Sequence, residues 1–239
     1  MGASPLTDGV GRVCWPEKTK TTKEDVTMST SAKIDELIAA SRELYDRKLI
    51  HASGGNTSVR DGDVIRITET GAELGKLTPA KIVTVDLDGN VLEGGQPSKE
   101  MDMHLAMYKA RSGAQAVIHV HPTYSIALST LLQGELASAV PPYTAAFYVR
   151  AGRVPMIKYH PSGAHSLHEA VAELAPDYHA ILLRQHGVIV AGKDMSVALG
   201  VVEEVEQCCE IAVATGLKGA QLTDAQLQAM DDALGRTWK

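Results

Sequence analysis

His119 and His121 stand one residue apart in the apolar run Val117-Ile118-His119-Val120-His121-Pro122. In a strand, side chains two apart leave the same face at roughly 6.5 Å spacing, so both imidazoles can close on one ion. Burying two neutral rings among valines and isoleucine leaves polar nitrogens that need partners, and a metal satisfies both. Two further ligands are on offer: Glu100, at the start of a helical segment upstream, and His186, after the apolar run Ala180-Ile181-Leu182-Leu183. Three imidazoles and one carboxylate suit Zn2+ or another divalent metal such as Mn2+ or Co2+. Plainer uses of the same residues exist. A His-x-His pair is a common pattern, Glu100 also fits a carboxylate placed to meet a helix dipole, and His186 also fits a loop position. His104, four residues after Glu100, reads as a supporting or packing group. His51, His160, His165, His168 and His179 sit in polar or loop contexts, as solvent-facing or supporting groups.

The elements that must position these residues alternate irregularly along the chain. Ile34, Leu37, Ile38, Leu44 and Leu49 place an apolar stripe on a helix over about 31–49. Gly54-Gly55-Asn56 breaks the chain, and Thr57–Arg60 with Val64–Ile67 around Asp61-Gly62-Asp63 reads as a hairpin. A strand at 82–86 turns at Asp88-Gly89-Asn90, and a polar loop, 94–99, leads into a helix from Glu100 to about Arg111. The histidine strand follows, then a helix near 123–132, a mixed stretch containing Pro141-Pro142, a helix over 165–175, a strand with its turn over 180–190, and a long amphipathic helix from Ser196 to about Ala214. Helices interleaved with hairpin-linked strands predict an α/β fold with a mixed, largely antiparallel sheet flanked by helices. Residues 1–30 lack apolar periodicity and read as a disordered N-terminal tail, leaving 31–239 as a single domain.

Composition narrows the function classes. With 44% hydrophobic residues in 239, the chain can bury one sizeable core. A net charge of −6 without a basic run gives no footprint for nucleic acid, and no apolar stretch is long enough to span a membrane. The N-terminus carries no apolar signal core, and Cys14, Cys208 and Cys209 form no disulfide framework, so a cytoplasmic location is expected.

The motifs Gly54-Gly55-Asn56-Thr57-Ser58-Val59-Arg60, Thr70-Gly71, Pro97-Ser98-Lys99-Glu100, His119-Val120-His121 and Gln185-His186-Gly187, in that order, resemble the class II aldolase and adducin-head family over about residues 33–216. That resemblance implies a three-layer α/β/α fold with a mainly antiparallel central sheet, a C4 homotetramer and active sites at subunit boundaries. It implies that Glu100, His119, His121 and His186 hold the metal, and that Ser53, Gly55, Asn56, Thr70, Gly71 and Ser98 occupy phosphate-binding positions. The residues agree with this, since glycine-rich backbone lets N–H groups approach an anion, although Gly54-Gly55-Asn56 also makes an ordinary turn. One departure stands out. The family's sugar-phosphate aldolases and epimerases usually read Pro-Ser-Ser before the acidic position, whereas here Lys99 puts a fixed positive charge there, able to hold a phosphate or a carboxylate. In this the chain resembles the phosphorylated oxo-acid decarboxylases. Glu100, where the epimerases carry Asp, argues against epimerisation.

The expected activity is therefore that of a metal-dependent aldolase acting on a small anionic substrate. It would cleave a phosphorylated ketose such as L-fuculose 1-phosphate to dihydroxyacetone phosphate and an aldehyde. Glu100 would carry the proton, and a neighbouring subunit would supply a tyrosine: Tyr143 first, Tyr148 second. The alternative is decarboxylation of a phosphorylated or aromatic oxo-acid at the same metal. A non-catalytic assembly module of the adducin type is a third reading, disfavoured because all four ligands are kept.

Overall fold

Leu37, Ala40, Ser41 and Leu44 repeat at helical spacing, and all four are buried along one face of helix α1 (Lys23–Asp46). This structure is a computed structural model that describes residues 31–236 and the backbone of 6–7, 13–14 and 23–30. Helix α1 starts at Lys23 rather than at 31, because no Gly or Pro interrupts 23–46. The rest of the expected tail lies outside the described residues, apart from two short antiparallel strands, β1 (Leu6–Thr7) and β2 (Val13–Cys14). The chain divides into two compact units, 1–32 and 33–239, and the second carries the candidate ligands.

Period-two alternation builds the hairpin β3 (Asn56–Asp61) and β4 (Val64–Thr68), followed by β5 (Ile82–Asp86) and β6 (Val91–Glu93). Helix α2 (Met101–Ala110) leads to β7 (Ala116–Val120), and α3 (Thr123–Leu131), α4 (Ala145–Ala151), β8 (Met156–Ile157) and α5 (His165–Leu174) follow. The hairpin β9 (Ala180–Leu183) and β10 (Gly187–Gly192) precedes α6 (Met195–Ala214) and α7 (Asp224–Leu234). Strand order is β6-β5-β4-β3-β7-β10-β9-β8, antiparallel throughout except that β8 runs parallel to β9. The short α4 and β8 fall inside the stretch expected to be mixed, and α7 lies beyond the last expected element.

Helices cover both faces of this sheet, which makes the α/β/α sandwich. Ala116, Ile118 and Val120 of β7 pack with α1, α3, α4 and α6, while Val117 packs with α2 and α5. Every residue of β7 is therefore buried, and each apolar side chain so buried contributes about 1.5–3 kcal/mol. His119 shares the face of Val117, so its ring points into the α2 layer and must find its partners inside the protein.

Two features fix the end of the histidine strand. Helix α3 starts right after Pro122 with no local side-chain cap; instead, Glu206 of α6 accepts the Tyr124 and Ser125 N–H groups at 2.7 and 2.8 Å. Gly187 opens β10 so close to the strand that a Cβ there would lie 2.2 Å from the Val120 carbonyl oxygen and 2.9 Å from the His121 ring. Gly187→Ala must therefore push the two strands apart, and overpacking of this kind costs about 1–3 kcal/mol. Gly113, whose added Cβ meets nothing within 4 Å, is the control. Urea denaturation should show a lowered midpoint for Gly187→Ala and a small change for Gly113→Ala; equal midpoints would contradict the packing account.

Candidate metal centre

Three separate elements deliver four side chains to one point. His119 sits in mid-strand, with Asn56 of β3 and Ile189 of β10 as its cross-strand neighbours. His121 follows β7 directly. His186 lies in the β9–β10 turn, where Gln185 takes a left-handed φ of 54° and the His186 N–H returns to the Leu183 carbonyl. Glu100 stands at the N-cap of α2, presented by a loop that is tied to the end of β4: the Ser98 N–H donates to the Thr68 carbonyl, and Glu69 bridges Pro97. The carboxylate makes no cap hydrogen bond and is turned instead to His119, His186, Asn56 and Ser162.

The three imidazole centroids lie 4.8, 4.8 and 4.9 Å apart. One ligand atom from each of Glu100, His119, His121 and His186 falls within 4.8 Å of the others. Glu100 Oε2 is 3.3 Å from His119 Nε2, and Oε1 is 3.2 Å from His186 Nε2. His119 Nδ1 lies 3.1 Å from the Val188 carbonyl oxygen, which can only accept, so Nδ1 carries the hydrogen. His119 Nε2 faces the Glu100 carboxylate at 3.3 Å and His121 Nε2 at 2.9 Å. A cation among these atoms would attract the carboxylate and the ring nitrogens together. Burial, helped by the neighbouring His119 and His186 and by the Lys99 charge, pushes the His121 pKa down to about 3, so its ring is neutral. Burial alone would raise the Glu100 pKa, but hydrogen bonding with His119, His186 and Ser162 outweighs it and holds the carboxyl well below the usual range. Three imidazoles around an ionised, buried carboxylate make a donor set that fits a divalent ion.

Behind Glu100 lies a set of polar groups that sequence reasoning left unconnected. The Asn56 amide donates to Glu100 Oε2 at 2.9 Å, and its carbonyl faces His104 Nε2 at 2.6 Å. His104 Nδ1 is 2.7 Å from the Ser58 hydroxyl, which is 2.9 Å from the Tyr108 hydroxyl. Ser162, in the loop before α5, donates to Glu100 Oε1. No motif marks Ser162, and the motif that contains Ser58 gives it no role; only the folded chain brings them near.

The expected anion-binding residues fall on three loops. Gly55 approaches β7 so closely, at φ 73°, that a Cβ would lie 2.7 Å from the His119 carbonyl oxygen. Ser53 is exposed on the same turn. Thr70 and Gly71 are exposed beside the 96–98 loop, joined to it by the Thr70 N–H and the Gln96 carbonyl. Ser98 is buried, and its hydroxyl accepts the Glu100 N–H. Lys99 is exposed, with its aliphatic stem against Gly163. Asn56, expected as a phosphate donor, turns the two ends of its amide to Glu100 and His104. Tyr143 is not brought to the four side chains of its own chain. It packs with the α6-side core, against Gly219, whereas His119 faces the α2 layer; its hydroxyl is buried without a hydrogen-bond partner among the described residues. Tyr148 donates its hydroxyl to the buried Asp231 at 2.7 Å, so it too is committed elsewhere.

Residues 35–213 match the sequence profile of the family described as Class II Aldolase and Adducin N-terminal domain. The chain is 33% identical over 207 residues to a 3-oxo-tetronate 4-phosphate decarboxylase of Haemophilus influenzae, spanning 86% of this chain and 99% of that one. It is 38% identical over 178 residues to an L-fuculose phosphate aldolase of Methanococcus maripaludis, spanning 74% and 94% respectively. Among solved structures, YgbL of Escherichia coli superposes with a TM-score of 0.81 at 31% identity, covering 85% of this chain and 99% of that chain.

The geometry predicts one divalent ion per chain. His121→Ala should lower metal content, measured by elemental analysis after dialysis, from near one equivalent to well below it; stoichiometric metal in that variant would reject the ligand set.

Proposed function

The chain belongs to the class II aldolase and adducin N-terminal domain family and is a metal-dependent lyase of that family; we propose that it breaks the bond between the carboxylate and the carbon next to the carbonyl of a four-carbon, phosphorylated 3-oxo-acid, releasing carbon dioxide. Glu100, His119, His121 and His186 would hold the ion, with Zn2+ as the first choice and Mn2+ or Co2+ as alternatives. When bound, the ion supplies a fixed positive charge that draws electron density from the substrate carbonyl as the bond breaks. The chain's own groups do the rest.

The observation that carries this reading is the position of Lys99. Lys99 directly precedes Glu100, and its stem is laid along Gly163, next to the Ser162 that holds the Glu100 carboxylate, so its ammonium group would be available to a substrate anion. Lys99 could meet either a phosphate or a carboxylate; this reading gives it the carboxylate, which the aldehyde product of an aldol cleavage lacks. The phosphate would sit on the exposed turn backbone and hydroxyls of Ser53, Gly55, Thr70 and Gly71, beside Ser98. As carbon dioxide leaves, the bonding pair stays on the three-carbon fragment as an enediolate, and Glu100 is placed to carry the proton that returns to carbon. Aldol cleavage of a phosphorylated ketose gives the same enediolate with an aldehyde as the other product. It stands as the second reading, favoured by the likeness to the fuculose phosphate aldolase. The sequence alone ranks these two the other way; Lys99 and the likeness to the 3-oxo-tetronate 4-phosphate decarboxylase support the order taken here. We also take the enzyme to be a cytoplasmic homotetramer. In that assembly Tyr143 would act in a neighbour's site only if the segment around Gly219 released it.

Two measurements test this. Incubation with a phosphorylated 3-oxo-acid should release carbon dioxide faster than a panel of ketose 1-phosphates releases aldehyde, and Lys99→Ala should raise KM for the oxo-acid while metal content holds. Aldehyde release as the faster reaction, with KM indifferent to Lys99, would establish the aldolase reading instead. Glu100→Gln should retain metal on three histidines yet lose about 10²–10⁴-fold in kcat, the usual loss for one positioned proton carrier. An active but slightly less stable Glu100→Gln enzyme would remove Glu100 from the chemistry.

A further inference from the structure

His104 lies four residues beyond Glu100 on α2, fully buried, and both its ring nitrogens are engaged. The hydrogen positions along its chain of contacts follow from donor chemistry alone. Glu100 is ionised and can only accept, so the Asn56 group facing it is the amide N–H. The Asn56 carbonyl is then left for His104, and His104 Nε2 must donate to it. Burial pushes the His104 pKa down to about 3, so the ring is neutral and its Nδ1 is an acceptor. The Ser58 hydroxyl donates to that nitrogen and accepts from Tyr108, whose own pKa burial raises, keeping the phenol protonated. One direction of donation runs from Tyr108 through Ser58, His104 and Asn56 to Glu100 Oε2.

The consequence concerns the orientation of a single amide. Rotated by half a turn about its last bond, Asn56 would point its carbonyl oxygen at the Glu100 carboxylate and its NH2 at His104 Nε2–H, two repulsive contacts in place of two attractive ones. We infer that His104 is a positioning residue: by holding the Asn56 carbonyl, it aims the Asn56 N–H at Glu100 and so fixes the carboxylate against His119 and His186. All the residues of this chain of contacts are at most 5% exposed, so no water competes for the amide. This inference rests on the reading of Glu100 as a ligand of the proposed metal. It adds two residues, His104 and Ser58, that touch neither metal nor substrate.

The test separates positioning from simple packing. Groups that orient metal ligands typically contribute 10–100-fold to metal affinity. Titration of the metal-free protein with Co2+, followed by visible absorption, should show His104→Leu binding 10–100-fold more weakly than the unaltered chain. His104→Gln, whose amide N–H can still reach the Asn56 carbonyl, should recover most of that loss. If His104→Leu fails to fold, Asn56→Ala breaks the next link and carries the same expectation; if both fold, the double variant should be no weaker than the worse single one. A folded His104→Leu with a lowered Tm and unaltered Co2+ affinity would overturn the inference, as would a Gln variant as weak as Leu. The readout does not depend on turnover. Absence of lyase activity in the unaltered chain would remove the lyase reading while the Co2+ ranking still judged His104. Equal Co2+ affinities among active variants would remove the His104 inference alone.

Discussion

Three imidazoles gathered against one buried, ionised carboxylate are the constraint on which the rest of this structure depends. His119 has no freedom to relieve it. Its strand is buried on both faces, its Nδ1 hydrogen is committed to the Val188 carbonyl, and its Nε2 meets Glu100 and His121 together. Isolated buried charge of this kind is costly in a low-dielectric interior unless an opposite charge joins it. The fold spends much of its detail on keeping the arrangement in place. Glycine backbone at 55 and 187 lets neighbouring segments press against the histidine strand, and Glu206 anchors the helix that leaves it.

The site is assembled from contacts distant in sequence. Glu100 reaches β7 because its loop is stitched to the end of β4, and His186 arrives through a hairpin turn that needs a left-handed residue at Gln185. A cation at their meeting point would link β7, the β9–β10 turn and the start of α2, so metal binding and local order should be coupled. Lys99 and Glu100, adjacent in the chain, are both met by the 162–163 loop: Ser162 holds the carboxylate and Gly163 supports the lysine stem. One loop therefore governs both the proton carrier and the charge offered to the substrate.

Much of this was legible in the sequence, for reasons that can be named. The four ligands could be read because metal chemistry restricts residue type and because strand alternation puts His119 and His121 together. The sheet and its long helices could be read because their apolar periods are sustained, as in Leu37, Ala40 and Leu44 on α1. What escaped is what sequence spacing does not encode. The α4 helix and β8 are short and follow a Pro-Pro pair, and α7 signals itself mainly through the Thr223–Gln226 capping box. Asn56 was assigned to an anion because a Gly-Gly-Asn turn suits one, yet its amide is turned inward by His104, four residues from Glu100 on the same helix.

The most direct test of this account is anomalous diffraction from crystals grown with Zn2+, recorded on either side of the zinc absorption edge. The account predicts one strong peak per chain, roughly 2.0–2.2 Å from an imidazole nitrogen of each of His119, His121 and His186 and within ligand distance of Glu100. A water molecule at that point with no anomalous signal, or a peak bound elsewhere on the chain, would contradict it.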